Sequence, residues 1–251
     1  MKFSRLNEIE IYLAQKQYAS IEDLMAKFNV SLQTLRRDLS ELQERKVITK
    51  IYGGAIYNKQ NVQSVDTIDI QTRSKLNIED KIHIGKIASQ LVKNNDIIFI
   101  DSGSTALHII PNLANLDNVT VVTHSLDVMN EISKFNNLDC ILLGGKYQQK
   151  TNSFYSDTNS LNFNFGIAFI ATVGMSLPRG LTNMNFFEAA IKSKVIENSS
   201  KVVVIADHSK FDVITFNNFC TFDKIGCVVT DQKPSDKYMN FFKRNNIQIL
   251  F

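Results

Sequence analysis

Apolar side chains at Ile21, Leu24, Met25 and Phe28 recur at the i, i+3, i+4, i+7 spacing that gathers them on one face of a short helix. Asn29 and Val30 interrupt that row. Ser31, whose hydroxyl can accept from an otherwise unpaired backbone N–H, then caps a second helix with Leu35, Leu39 and Leu42 as its buried stripe. At about 100° per residue, Gln33 and Arg37 point away from the leucines, with Thr34 and Arg36 on the flanks. Behind this helix, residues 47–57 carry β-branched side chains around Gly53-Gly54, the pattern of a hairpin with a tight turn. Two adjacent arginines on a helix usually form only a solvated face. The ordered succession of helix, capped helix and basic hairpin within sixty residues points instead to a winged helix-turn-helix that reads nucleic acid.

A polar stretch without a sustained apolar period follows, and residues 58–77 are expected to be a linker, with an edge strand possible where 65–70 alternate. From Asp80 the pattern changes to apolar strands spaced by helices. Strands are predicted at 96–100, 119–123, 140–143, 167–172, 202–206, 225–230 and 248–251, and helical segments at 82–91, 106–113, 126–135, 187–196 and 238–244. Such alternation predicts a mostly parallel sheet covered on both faces, so ligands should bind beyond the carboxyl ends of its strands. The expected division is residues 1–57 as DNA-binding domain, 58–77 as linker and 78–251 as an α/β domain.

The residues at those strand ends share a chemistry. Asp101-Ser102-Gly103-Ser104-Thr105 follows the first strand as a hydroxyl-rich loop opening a helix, where hydroxyls and free N–H groups could hold a phosphate. The bland alternative is an ordinary capped turn. Thr123-His124-Ser125, Gly144-Gly145 and Asp207-His208-Ser209-Lys210 end later strands, and together these loops offer hydroxyl partners, a cation and close backbone approach.

Charge and composition narrow the reading. Residues 1–60 carry 10 Lys/Arg against 7 Asp/Glu, while the remainder is balanced at 18 of each, so the positive excess is all N-terminal. Neither an apolar signal core nor a run of eighteen apolar residues is present, and a cytoplasmic protein is expected. Cys140, Cys220 and Cys227 lack paired spacing and are expected to be buried free thiols; neither a metal nor a cofactor is implied.

The string VSLQTLRRDLSELQERKVITKIYGGA, followed in order by DSGST, THS, LGG, GLTNMNFFEAAIK and ADHSKF, resembles the DeoR family of bacterial transcriptional regulators over essentially the whole chain. The resemblance implies a winged-helix repressor whose C-terminal α/β effector domain is similar in fold to ribose-5-phosphate isomerase and related sugar-phosphate enzymes. It implies sensing of phosphorylated intermediates of carbohydrate catabolism. Carried over, it places phosphate or polyol contacts at Ser102, Gly103, Ser104 and Thr105, beside Asp101. It adds His124, Ser125, Gly145, Glu188, Lys192, Asp207 and Lys210 as effector or signalling residues. Each has a plainer reading: Glu188 and Lys192 are spaced for a solvent-exposed ion pair on a helix, Asp207 for a turn cap, and His124 for a bond to nearby backbone.

The chain departs from the family pattern at three places, with Gly166 where an aspartate is common and Ala171 and Ser156 where glycines are. Loss of a glycine limits how closely a ligand approaches the backbone, and loss of a carboxylate removes a hydroxyl acceptor. The strings ATVGMSLPRGLTNMNFFE and ADHSKF also resemble the inositol-catabolism repressors within the family. The expectation is a repressor of a carbohydrate or polyol operon, controlled by a phosphorylated sugar or inositol-derived metabolite. In it Gln33 and Arg37 read base edges with help from Thr34, while Ser31, Arg36, Lys50 and Tyr52 complete the DNA-facing set. Because one winged helix reads few base pairs, a homo-oligomer on repeated half-sites is expected. The alternative is a sugar-phosphate isomerase with an accessory DNA-binding domain, whose base would be Asp101, Glu188 or Asp207. A scaffold that only self-associates would leave the DSGST loop without a task.

Overall fold

The computed structural model describes residues 2–16, 18–44, 47–51, 53–57, 70–155, 157–158 and 161–251. The chain divides into two compact units, Met1–Asn77 and Ile78–Phe251. Tyr52, Ser156 and residues 58–69, most of the expected linker, lie outside the described residues.

The first unit contains α1 (Lys2–Lys16), β1 (Tyr18–Ser20), α2 (Ile21–Phe28), α3 (Leu32–Glu44), β2 (Ile48–Ile51), β3 (Gly54–Tyr57) and α4 (Ile70–Lys75). Helix α2 starts at a capping box: the Ser20 hydroxyl accepts from the Asp23 N–H, and the Asp23 carboxylate accepts from the Ser20 N–H. It stops at Asn29, which takes the left-handed conformation at φ 48°. Leu24, Leu35, Leu39 and Leu42 pack with Leu6, Ile9 and Leu13 of α1 and with Ile48 and Ala55 of the hairpin into one core. The hairpin turns at Gly53, φ 79°, a conformation that favours glycine. It is part of a three-stranded antiparallel sheet in the order β1-β3-β2, with Ile56 opposite both Tyr18 and Thr49. The sequence pattern did not reveal β1, which is only three residues long. Helix α4 replaces the end of the expected linker, so the edge strand proposed there is not formed at Ile70.

The second unit opens with α5 (Ile78–Ser89) and β4 (Ile97–Ile100). A 3-10 helix (Ala106–Leu113), β5 (Val119–Thr123), α6 (Leu126–Ile132) and β6 (Leu138–Leu142) follow. Next come β7 (Lys146–Gln148), β8 (Ser153–Tyr155), β9 (Phe165–Ala171), β10 (Gly174–Ser176), β11 (Gly180–Asn183) and α7 (Phe186–Glu197). The chain then runs through β12 (Ser199–Ile205), β13 (Asn217–Cys220), β14 (Cys227–Val229), α8 (Asp236–Arg244) and β15 (Gln248–Leu250). Seven strands form a parallel sheet in the order β15-β14-β12-β9-β4-β5-β6. Alternate strand residues enter two cores. Phe99, Ala168, Ile170, Val202 and Val204 pack with Ala189, Val195, Tyr238 and Phe242 of α7 and α8. Ile98, Ile100, Val121, Phe169 and Val203 pack with Ile84 and Ala88 of α5 and with Ile109 and Ile110. Burial on both faces explains why these strands read as continuous apolar runs.

Strand order reverses at β4. The chain places β5 and β6 to one side of it and β9, β12, β14 and β15 to the other, so β4 and β9 flank a topological switch point. Two antiparallel additions were absent from the expected elements: the pair β7-β8, and the three-stranded sheet β10-β11-β13. Their strands are three or four residues long, too short for a period-two pattern to register. The helical segment after β4 is 3-10 rather than α, with Pro111 inside it. All three cysteines are free; Cys220 and Cys227 are buried, whereas Cys140 is only partly so. Burial raises the Cys220 thiol to about 12 and Cys227 to about 11, leaving both protonated and unreactive.

Candidate functional site

In the first unit, α3 turns its polar side chains outward. Ser31, Gln33, Arg36 and Arg37 are exposed and Thr34 is half-buried, while Leu35, Leu39 and Leu42 are buried. The Ser31 hydroxyl accepts from the Thr34 N–H at 3.3 Å and lies 3.0 Å from the Thr34 hydroxyl, which fixes the start of the helix. Lys50 on β2 donates to the Ser40 hydroxyl at 2.9 Å, and Ser40 donates to the Arg36 carbonyl at 2.7 Å, so hairpin and helix are tied side chain to side chain. One charged residue on the inner face escaped the sequence reading. Asp38 is buried among the leucines and accepts two bonds from Arg5 of α1, at 2.6 and 3.1 Å. The available signal was a carboxylate falling on an apolar stripe, beside Leu39 and one turn from Leu35 and Leu42.

In the second unit, Asp101 stands at the end of β4, at the switch point, with no exposed surface. Its Oδ1 accepts from the Ser102 N–H at 2.8 Å, and its Oδ2 accepts from the Ala171 N–H at 2.9 Å and from Lys192 Nζ at 2.8 Å. Lys192 also donates to the Ala171 carbonyl at 2.7 Å and lies 5.5 Å above the Phe219 ring. Burial alone would push the Asp101 carboxyl up, but Lys192, His124 and the Ser102 N–H together hold it below the usual carboxylate range. Glu188 accepts from the Asn183 side chain at 3.0 Å. The expected exposed pair between Glu188 and Lys192 is therefore corrected: both are buried, and each bonds to a different partner, because α7 packs its inner face over β9.

The plainer reading of His124, a bond to nearby backbone, does not hold: its ring is fully buried and neither Nδ1 nor Nε2 has a hydrogen-bond partner. The ring stacks on Phe99 with centroids 5.8 Å apart, and Nε2 lies 3.8 Å from Asp101 Oδ1. Burial lowers its affinity for a proton, so the imidazole is neutral. In the 101–105 loop, Ser102 and Thr105 are buried and Gly103 and Ser104 half-buried. A Cβ on Gly103 would come within 2.4 Å of the Ala171 Cβ, so the loop needs glycine where it passes β9. Thr105 makes no side-chain capping bond, so the plain capped-turn reading of this loop finds no support in its geometry.

The remaining candidates make local contacts. Ser125 caps α6, its hydroxyl accepting from the Val128 N–H at 3.3 Å, and Gly145 is exposed between β6 and β7. Asp207 does cap a turn: it accepts from the Ser209 N–H and hydroxyl, and Lys210 Nζ lies 3.9 Å from it. Across β12 and β14, His208 donates its backbone N–H to Asp231 at 2.6 Å, and Nδ1 lies 2.6 Å from the other Asp231 oxygen. Asp80 joins them, its nearer oxygen 4.0 Å from His208 Nδ1. Burial, then Asp231, raises the Asp80 carboxyl. The ligating atoms of Asp80, His208 and Asp231 lie within 4.8 Å of one another, an arrangement able to hold a cation, although the His208–Asp231 hydrogen bond already engages two of the three. Asp80 and Asp231 were not singled out from sequence; Asp231 follows the β14 strand and was recoverable by the same strand-end rule that found Asp207.

Among the described residues, no helix is long and apolar enough to cross a membrane. Residues 5–61 match the family model of the DeoR-like helix-turn-helix domain, and residues 76–232 match that of the DeoR C-terminal sensor domain. The HTH-type transcriptional regulator IolR of Bacillus subtilis is 34% identical over 99% of this chain and 99% of its own. The glycerol-3-phosphate regulon repressor of Escherichia coli is 29% identical over 98% of this chain and 97% of its own. Among solved structures, ribose 5-phosphate isomerase A from Methanocaldococcus jannaschii is similar at a TM-score of 0.41 and 21% identity, over 54% of this chain and 55% of that one, a likeness too slight to speak to chemistry. With both family models matched in order and a full-length relative at 34% identity, the chain belongs to the DeoR family of transcriptional regulators.

Proposed function

We propose that this protein is a DNA-binding transcriptional repressor of a carbohydrate or polyol catabolic operon. Its DNA affinity is controlled by a phosphorylated sugar or inositol-derived metabolite held in the C-terminal unit. The observation that carries the proposal is the two-sidedness of α3, which buries Leu35, Leu39 and Leu42 while presenting Gln33, Arg36 and Arg37 to solvent beside a basic hairpin. Arg37 and Gln33 read base edges with Thr34 assisting, and Ser31, Arg36, Lys50 and Tyr52 contact phosphate and fix register. Residues 1–57 act as the reader, 58–77 as the linker and 78–251 as the sensor. The effector lies at the β4–β9 switch point, its phosphate on Ser102, Gly103, Ser104 and Thr105, with Asp101, His124, Glu188 and Lys192 behind. Ser125, Gly145, Asp207 and Lys210 are assigned to its periphery. The protein works in the cytoplasm as a homo-oligomer on repeated half-sites.

The isomerase alternative ranks below this. The relatives are named as transcriptional regulators, and Asp101, the carboxylate nearest the loop, has both oxygens occupied by Ser102, Ala171 and Lys192. The test is fluorescence anisotropy on DNA upstream of the protein's own gene, with and without a panel of sugar and inositol phosphates. Arg37→Ala should cost about 1–3 kcal/mol on the preferred operator and relax specificity; equal loss on random DNA rejects its role. Thr105→Ala should abolish the response to the active compound while leaving DNA binding intact.

A further inference from the structure

We infer that His124 supplies the positive charge that the effector's oxyanion requires, by taking up one proton from solvent as the anion enters. This rests on the sensor reading above and adds to it a proton-linked mode of binding. The argument is one of charge inventory. The 101–105 loop offers hydroxyls and N–H groups but no side-chain cation. Lys192 has two of its three N–H donors engaged, Nζ bonding to Asp101 Oδ2 at 2.8 Å and to the Ala171 carbonyl at 2.7 Å, and its charge is matched by the Asp101 carboxylate. Facing His124 are Asp101 at the end of β4 and Glu188 and Lys192 on α7, two carboxylates against one ammonium. A phosphate dianion brought to this buried, net-negative region is repelled unless a positive charge arrives with it.

His124 alone in this group is able to gain that charge, and it is built for the change. Both ring nitrogens are buried without a hydrogen-bond partner, a state that costs free energy and that folded proteins seldom retain without a use. The Phe99 ring fixes the imidazole plane from one side. Nε2 sits 3.8 Å from Asp101 Oδ1, beyond hydrogen-bond range but close enough for a charged ring to close the gap. The same Asp101 oxygen accepts from the Ser102 N–H, so His124 borders the loop through a shared atom. Protonated, the imidazolium has two donors, one for Asp101 and one for an oxygen of the bound anion. The free protein keeps His124 neutral because burial outweighs the pull of Asp101 and Glu188; the anion's charge reverses that balance.

Sulfate is the probe, since it stays dianionic across the neutral range and any proton taken up belongs to the protein. Full-length protein is titrated with sodium sulfate by isothermal calorimetry at one pH in buffers of different ionisation enthalpy. The expected result is uptake of about one proton per sulfate, with affinity falling by up to about tenfold per pH unit above neutrality. His124→Gln, with folding checked by circular dichroism, should bind sulfate more weakly, without proton uptake or pH dependence; His124→Asn should behave alike. His83→Gln, at an exposed position of α5, should keep the uptake. Sulfate binding without uptake, or uptake retained in both His124 variants, overturns the inference while leaving the sensor reading in place. If sulfate does not bind and no phosphate ester shifts DNA affinity, both fall together.

Discussion

In the first unit the candidate functional side chains stand on the far side of a leucine core, whereas in the second they belong to the interior. Gln33, Arg36 and Arg37 need only a helix that faces two ways, and their own core neighbours supply it. Asp101 and His124, just after β4 and β5, and Glu188 and Lys192 on α7 are all buried. Each unit buries a carboxylate against a cation drawn from a distant part of the chain: Asp38 with Arg5 in the first, Asp101 with Lys192 in the second. The first pair ties α3 to α1, and the second ties α7 to the end of β4. An exposed reading face can be separated from the forces that fold it; a cluster of buried charged groups cannot.

The largest test of that difference is Lys192→Met, which strands the Asp101 carboxylate in the interior. It should destabilise the second unit by about 3–5 kcal/mol, read from urea unfolding by circular dichroism. Adding Asp101→Asn should restore part of the loss, which a simple packing defect would not show. Next is Gly103→Ala, whose Cβ would meet Ala171 at 2.4 Å; about 1–3 kcal/mol of destabilisation is expected. Ala171→Gly on the same chain should relieve it, and failure to do so would separate the loop from β9. Gly53→Ala in the hairpin turn, at φ 79°, should cost about 1–2 kcal/mol with no effect on sulfate binding.

Acid sharpens the contrast further, because all four histidines lie within residues 78–251. Burial depresses His124 below its ordinary 6.5, so as pH falls through that value the unfolded chain takes a proton that the native ring refuses, and stability drops. Asp101, also depressed, adds stability above its ordinary 3.8 that is lost as pH falls below it. The urea midpoint should therefore decline as pH falls through 6.5, with His108, also depressed by burial, contributing, and His124→Gln should make that decline shallower.

The reading helix was legible because its information is local: leucines one turn apart, a capping serine before them, and polar residues on the opposite face. Even there Asp38 was missed, since its partner lies 33 residues away on α1. In the second unit, the parallel strands were legible as apolar runs, and the strand-end rule brought Asp101 and His124 into view. That rule did not show which of these residues meet. Glu188 and Lys192 satisfy the spacing of an exposed pair equally well, and only the packing of α7 over β9 sends them to Asn183 and Asp101.

Periodicity and motif order by themselves determined the two-part architecture, the reader helix and the family, because each is written in residues close together along the chain. The tertiary structure alone decided the chemistry of the interior site. The distance between Asp101 and Lys192, 91 positions apart in sequence, and the unpaired state of His124 depend on how β4, β5, β9 and α7 converge. Charge strength, burial and hydrogen-bond satisfaction are properties of that convergence, and no spacing in the sequence encodes them.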